Sequence, residues 1–334
     1  MEWNILGHEW AADLLAQHIA RQEVRHAYLF AGPPGVGRRS LALRFAQALN
    51  CTNPPQPGQP CGTCRACTQI ESMRQADLTV IQALDEDGLP REGGSLKIDQ
   101  IRDLQRTLSL SPYEARYRVA LLLRFQEANI NAQNAFLKTL EEPPEKSILL
   151  LTANSVESLL PTIVSRCEIL RLRPLPVEQL EQALASRWGL PGDEARLLAH
   201  YSGGRAGYAL RLHHDPAELE RRREWLEDLQ RLLGENRRQR FNYVEHEFKD
   251  KEKLRLALQV WLSFWRDVLL CAAGSSVPLI NLDRAEQVRF MAEKLDLPFV
   301  RARVSDLERA VQRLDANVNA RLLAEVILLD WPKL

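Results

Sequence analysis

Four of the six cysteines, Cys51, Cys61, Cys64 and Cys67, fall within 17 residues, while Cys167 and Cys271 stand alone. The spacing Cys-x9-Cys-x2-Cys-x2-Cys brings four soft ligands together through two tight CxxC turns, one of them eased by Gly62. Such a set suits Zn²⁺ held tetrahedrally with no open position, a structural site rather than a catalytic one. Disulfides and a redox CxxC are the competing readings. The chain begins with polar residues (Glu2, Asn4, His8, Glu9) and no apolar signal core, and in that setting a tight cluster favours metal.

A second constellation concerns phosphate. Gly32-Pro33-Pro34-Gly35-Val36-Gly37 has the form of a phosphate-binding loop. Its glycines let backbone N–H groups approach phosphate, and the N-terminus of a following helix favours an anion. A working loop continues with Lys, which reaches the β- and γ-phosphates, and then Ser or Thr, whose hydroxyl ligates Mg²⁺. Here those positions are Arg38 and Arg39, and Ser40 comes one position late. Arg38 keeps the charge but not its shape. Arg39 offers only donors and cannot hold a metal. The acidic pair that should end a later strand is missing too: Tyr117–Leu123 runs into Arg124, and Glu127 offers only a shifted register. The expectation is a loop that keeps its shape without turning over ATP, with residual nucleotide binding as the alternative.

The elements that must position these residues follow from periodicity. Ala27–Ala31, Leu78–Ile81, Val119–Leu123 and Ile148–Leu151 are short apolar runs that predict buried strands. Helical spacing is seen over Ser40–Leu49, at Ile98, Ile101, Leu104 and Leu108, and over Asn131–Leu140. Strands alternating with helices predict an α/β fold with a mainly parallel sheet covered on both faces. Asp85–Gly94 is charged and glycine-rich and is expected to be an exposed, mobile loop.

After Arg171 the strands stop, Pro174 and Pro176 mark a linker, and the remainder reads as helical. Three domains are expected: residues 1–172, nucleotide-binding-like with the cysteine module at 51–67 inserted; 173–212, a small helical lid; and 213–334, all helical. In the last, Leu254, Leu258, Trp261, Leu262, Trp265 and Leu269 form an apolar stripe that suits either an internal core or a face for a partner.

Composition narrows the function classes. At 334 residues, 45% hydrophobic and 26% charged, the chain is an ordinary globular mixture with room for two or three domains. Lys plus Arg equals Asp plus Glu at 44 each, which argues against a protein that wraps nucleic acid alone. Any DNA contact has to be a local patch or be shared with partners. Apolar runs such as Val119–Leu123 and Val268–Ala273 are far too short to span a bilayer. A cytoplasmic protein with no membrane partner is expected.

Leu137-Lys138-Thr139-Leu140-Glu141-Glu142-Pro143-Pro144 stands in order with His26–Gly32, Ser165-Arg166-Cys167 and the cysteine module. In these motifs the chain resembles the AAA+ clamp-loader family of bacterial DNA polymerase III. The likeness extends to Lys97–Arg102 and Asn317–Leu322, densest over the first 170 residues and thin between 215 and 310. It implies a P-loop NTPase-like domain, a helical lid and an all-α collar. It further implies a ring with tau/gamma and delta subunits that opens the sliding clamp (beta) at primer–template DNA.

The resemblance gives Arg166 a role that position alone would not. An Arg after a strand is ordinarily a surface salt-bridge residue, but in this family's motors the Arg of Ser-Arg-Cys reaches the γ-phosphate bound by the adjacent subunit. The motor's sensor Arg, inside Gly-x-x-Arg-x-Ala-Leu, aligns with Gly207 of Gly204–Leu210. Phosphate charge, metal ligand, acidic pair and sensor are all altered, so the resemblance points to a non-hydrolysing subunit. A divergent tau/gamma-type ATPase and a purely structural zinc scaffold are the alternatives. Lys97 and Arg102 are candidates for facing DNA, against the plainer reading of a solvated helix face. Cys167 reads as a small core residue.

Overall fold

The computed structural model describes every residue except 1, 2, 86, 92, 249, 316, 317 and 334, so Glu2 and the Asn317 that opens the C-terminal motif lie outside the described residues. The chain divides into two compact units, Met1–Leu175 with Arg205–Gly207, and Pro176–Gly204 with Tyr208–Leu334.

The first unit is built on β1 (Ala27–Ala31), β2 (Leu78–Ile81), β3 (Arg118–Leu122), β4 (Ser147–Ala153) and β5 (Glu168–Arg171), in the order β2-β3-β4-β1-β5. All four pairings are parallel. Strands β1, β3 and β4 are buried at every position, which is why they read as continuous apolar runs. Alternation still sorts their side chains between the faces. Tyr28, Phe30, Leu121 and Leu150 pack with Leu15 and Phe45, whereas Leu29, Leu122, Leu149 and Leu151 pack with Leu104 and Phe136. Helices α1 (Glu9–Ala20) and α2 (Arg38–Asn50) supply the first set of partners. The second set comes from α4 (Ile98–Leu108) and α5 (Ile130–Glu141). Between them α3 (Arg65–Glu71) belongs to the cysteine module, and α6 (Pro161–Val164) leads to Ser165. Each fully buried Leu or Phe here contributes roughly 1.5–3 kcal/mol.

This is the α/β arrangement with a parallel sheet covered on both faces that the alternation of strands and helices predicts. Strand β5 gave no apolar run because it has only Ile169 and Leu170 between Glu168 and Arg171, as suits an edge strand. Among its described residues the charged stretch after Ala83 is largely exposed yet locally built. The Asp85 carboxylate accepts the N–H groups of Asp87 at 3.0 Å and Leu89 at 2.8 Å, and Leu84 bridges Pro90.

The second unit holds α7 (Val177–Trp188), α8 (Gly192–Ser202), most of α9 (Ala206–His214), α10 (Pro216–Gly234), α11 (Arg237–Glu247), α12 (Lys251–Ala272), α13 (Ala285–Lys294), α14 (Leu297–Asp315) and α15 (Ala320–Leu329). The α12 stripe is an internal core: Leu254, Leu258, Trp261 and Trp265 are wholly buried. Trp331 meets the Trp261 ring edge-on at 5.0 Å, and the Trp261 indole donates to the Trp225 carbonyl at 2.8 Å. Buried Arg240 donates to the carbonyls of Leu232, Leu328, Trp331 and Pro332. It thereby satisfies oxygens left over at two helix ends and favours their negative poles. Arg222 on α10 lies 3.8 Å over the Tyr201 ring of α8 and donates to Asn281 at 2.5 Å, which ties the earlier helices of this unit to the later ones. Among the described residues no helix is long and apolar enough to cross a membrane.

Candidate functional site

Ligands of α/β folds bind at the carboxyl edge of the parallel strands. Here that edge carries the glycine loop after β1, Arg124 after β3 and Asn154 after β4. Gly37 caps α2 at φ +110°, a left-handed angle open to glycine. Arg38 is buried, and its guanidinium donates to Asn154 Oδ1 at 2.9 Å. The Gly207 N–H donates to the Gly35 carbonyl at 2.9 Å. A Cβ at position 207 would stand 2.9 Å from that same oxygen, so the loop leaves no room for a sensor arginine there without moving backbone. Buried His8 meets the Val36 carbonyl through Nε2 at 2.8 Å. A carbonyl only accepts, so Nε2 carries the proton. Arg39 and Ser40 face solvent, with Arg39 bonded to the Met73 sulfur at 3.3 Å.

The end of β3 is cationic. Arg124 takes φ +50°, its N–H donates to Thr152 Oγ1 at 2.8 Å, and its Nε donates to Glu127 Oε1 at 2.9 Å. The same Glu127 oxygen accepts the Gly93 N–H at 3.0 Å. The acid that a shifted register would recruit is thus matched to a guanidinium, where hydrolysis needs carboxylates for Mg²⁺.

Arg166 has a different setting. It follows the short α6, with its side chain 35% exposed. Nη2 lies 2.7 Å from Glu141 Oε1, and Nη1 donates to the Thr162 carbonyl at 2.8 Å. Glu141 ends α5, inside the Leu137–Pro144 motif. Neighbouring Cys167 is half-buried, and burial pushes its thiol up to about 12, as befits a packing residue rather than a nucleophile.

The four clustered cysteines do converge. Their sulfurs all lie within 4.8 Å of one another, with Cys51 and Cys64 3.9 Å apart and Cys61 and Cys67 4.0 Å apart. Sulfurs about 2.3 Å from a tetrahedral Zn²⁺ are about 3.8 Å from each other. The N–H groups of Cys61, Cys64 and Cys67 point at the sulfurs of Cys51, Cys61 and Cys64, at 3.3, 3.2 and 3.5 Å. Burial pushes the Cys51 and Cys67 thiols up, while the N–H groups of Thr63 and Cys64 pull Cys61 down. At Cys64 an upward push from burial is outweighed by the Cys67 and Thr52 N–H groups, which bring it to about 5. Four thiolates this close repel one another unless a cation sits among them. The donor set fits a metal ion.

A family model described as DNA polymerase III, delta subunit, matches residues 7–176, just over half of the chain. One described as DNA polymerase III, delta subunit, C terminal, matches residues 216–333. DNA polymerase III subunit delta' of Bacillus subtilis is 30% identical over 326 residues, 95% of this chain and 93% of the relative. Its Pseudomonas aeruginosa counterpart is 30% identical over 334 residues, 97% of each. The chain belongs to the delta-prime family of DNA polymerase III subunits. Likeness to the Escherichia coli tau subunit, 35% identical, covers only 54% of this chain and 27% of that relative. Delta-prime likeness therefore runs nearly end to end, whereas tau likeness covers about half of the chain.

On this delta-prime chain Lys97 is exposed just before α4, with the Gln100 side chain accepting its N–H at 3.0 Å. Arg102 is exposed and pairs with Asp99 at 3.1 Å, as Arg106 does with Asp103. That helix face balances its charges one turn apart. Sequence reasoning missed His8 and Asn154. Only the strand-end rule could have singled out Asn154, which directly follows β4. It also missed Asp77, wholly buried, whose carboxylate accepts the N–H groups of Tyr113, Glu114 and Ala115 and pairs with Arg118 at 3.1 Å. Burial alone would raise the Asp77 carboxyl, but those donors and the Arg118 charge outweigh it and hold it below the usual range.

Proposed function

We propose that this delta-prime family member is a clamp-loader subunit that hydrolyses no ATP itself and supplies Arg166 to the γ-phosphate held by a neighbouring subunit. The observation that carries this reading is the contrast between two guanidinium groups. Arg38 is buried against Asn154, at the place where a working loop keeps a lysine for phosphate. Arg166 is held at the surface with part of its fork exposed. A fixed guanidinium acts on charge developing over phosphoryl oxygens, and such fingers are worth about 10³–10⁵ in rate in well-studied systems.

The other parts follow the same reading. Gly32, Gly35, Gly37, Arg38 and Arg39 form a degenerate loop that serves as shape, with its carbonyls held by Gly207 and His8. Cys51, Cys61, Cys64 and Cys67 hold one structural Zn²⁺, whose binding adds to folding free energy. Residues 173–212 act as a lid and 213–334 as the collar. The aromatic core between Trp225 and Trp331 supports the collar as a helical body, to which Arg222 over the Tyr201 ring joins the lid helices. Partners are tau/gamma and delta subunits, with the sliding clamp and primer–template DNA engaged by the assembled ring. Lys97 and Arg102 remain candidates for a DNA contact made jointly with partner chains.

Reconstitution tests the assignment. Tau/gamma and delta subunits are assembled with and without this chain, and ATPase is measured in the presence of clamp and primed DNA. Stimulated turnover that falls when the chain is omitted supports the reading, and turnover unchanged by omission overturns it.

A further inference from the structure

The Glu-Glu-Pro-Pro motif and the Ser-Arg-Cys motif lie 25 residues apart at their nearest functional pair, yet they meet through one short contact between Glu141 and Arg166. The prolines at 143 and 144 cannot continue α5, so Glu141 stays at its C-terminal end. The second hold on Arg166 is the Thr162 carbonyl in the last turn of α6, which accepts Nη1 at 2.8 Å and the Ser165 hydroxyl at 3.1 Å. Two acceptors at fixed helix ends thus grip Nη1 and Nη2. A longer contact joins Nη1 to the Ser165 hydroxyl at 3.4 Å, and the Nε N–H and the second Nη2 N–H are the donors of the fork that these contacts do not use.

We infer that Glu141 is a positioning residue for Arg166, setting the finger's direction before the neighbouring nucleotide arrives. The inference rests on the trans-acting role proposed above for Arg166. Glu141 is half exposed, and a pair of that kind adds little to folding. Its effect lies elsewhere. A long side chain that must be immobilised in the transition state loses rotamer freedom at that moment, and a cradle that orders it beforehand removes this cost. The charge of Glu141 also matters less against phosphate than its geometry, because the fork keeps other N–H groups to offer.

The test is a double-mutant cycle in the reconstituted clamp loader, with assembly and zinc content matched to wild type. Glu141→Ala is expected to slow the ATP-hydrolysis phase served by Arg166 about three- to tenfold, the range for re-immobilising one long side chain. KM for ATP should hold. Glu141→Gln, which keeps shape and one acceptor, should lose less and guards against misfolding as the cause. In an Arg166→Ala background Glu141→Ala should change nothing further. If Arg166→Ala slows the complex while Glu141→Ala leaves it unchanged, speeds it, or adds its full loss on top, Glu141 does not position the finger and the trans role survives. If Arg166→Ala itself matches wild type, the trans role fails and this inference falls with it.

Discussion

Arg166 Nη2 lies 2.7 Å from Glu141 Oε1, and Arg38 Nη1 lies 2.9 Å from Asn154 Oδ1. Arg38 is buried against the residue that follows β4, whereas Arg166 is held at the surface and partly exposed. Both contacts join residues far apart in sequence through the ends of neighbouring elements, and each predicts a different outcome when its arginine is changed.

The isolated chain should hydrolyse no ATP above background, even with Mg²⁺ and primed DNA. Arg39 offers no metal oxygen, and the β3 end carries the Arg124–Glu127 pair instead of free carboxylates. Arg38→Lys with Arg39→Thr should not create an enzyme, because Arg124 and the closely approached Gly207 remain. Turnover that copurifies with the chain and disappears on Arg38→Ala would contradict this.

Purified protein should contain about one zinc per chain. Elemental analysis checks the content. Cys64→Ser should lower it and loosen residues around 51–67, seen as faster amide exchange there, while the five-stranded sheet keeps its protection. Full zinc retention in Cys64→Ser would remove that residue from the site.

Much of this was legible in the sequence, for identifiable reasons. Strands β1, β3 and β4 announced themselves because runs buried on both faces are continuously apolar, and the half-buried edge strand β2 was legible from Leu78, Val80 and Ile81 alone. The cysteine module was legible because ligand spacing is local. Edge strand β5 and the four-residue helix α6 were not, since each has too few apolar residues to carry a period. The α12 stripe was legible as apolar but not as inward- or outward-facing; only packing against Trp331 and Trp225 decides that. The contacts Arg38–Asn154, Gly207–Gly35 and Arg166–Glu141 span sequence distances that no local pattern encodes.

Asp77→Ala should cost about 3–5 kcal/mol in urea unfolding, because it strips a buried Arg118 of its countercharge, leaving it only the Thr107 and Ser111 carbonyls, and three N–H groups of their acceptor. The Asp77 carboxyl is depressed in the folded state. Its stabilisation is therefore complete above the unfolded value of about 3.9 and is lost as pH falls through the lower folded value. Asp77→Asn should flatten that acid limb, which stability measured against pH would reveal.

Assembly should depend on an apolar strip left open on the C-terminal helix. Leu322 and Val326 are exposed one turn apart on α15, at 58% and 55%, near exposed Val318. Stable interfaces have an apolar centre. Leu322→Glu with Val326→Glu should leave the circular dichroism melt nearly unchanged yet reduce copurification with tau/gamma and delta. Undiminished complex on size exclusion would move the subunit contact elsewhere.

The most direct measurement of the central claim is pre-steady-state ATP hydrolysis by reconstituted complexes carrying wild-type chain or Arg166→Ala, at matched assembly. In the proposed role Arg166 would act on developing phosphoryl charge and add little to ground-state contacts. Arg166→Ala should therefore leave zinc and assembly intact but remove or slow one part of the burst, the other sites continuing. Arg166→Lys should rescue poorly, because an ammonium lacks the planar fork. Equal burst amplitudes and equal rates for wild type and Arg166→Ala would contradict a catalytic role in trans and leave the chain a scaffold.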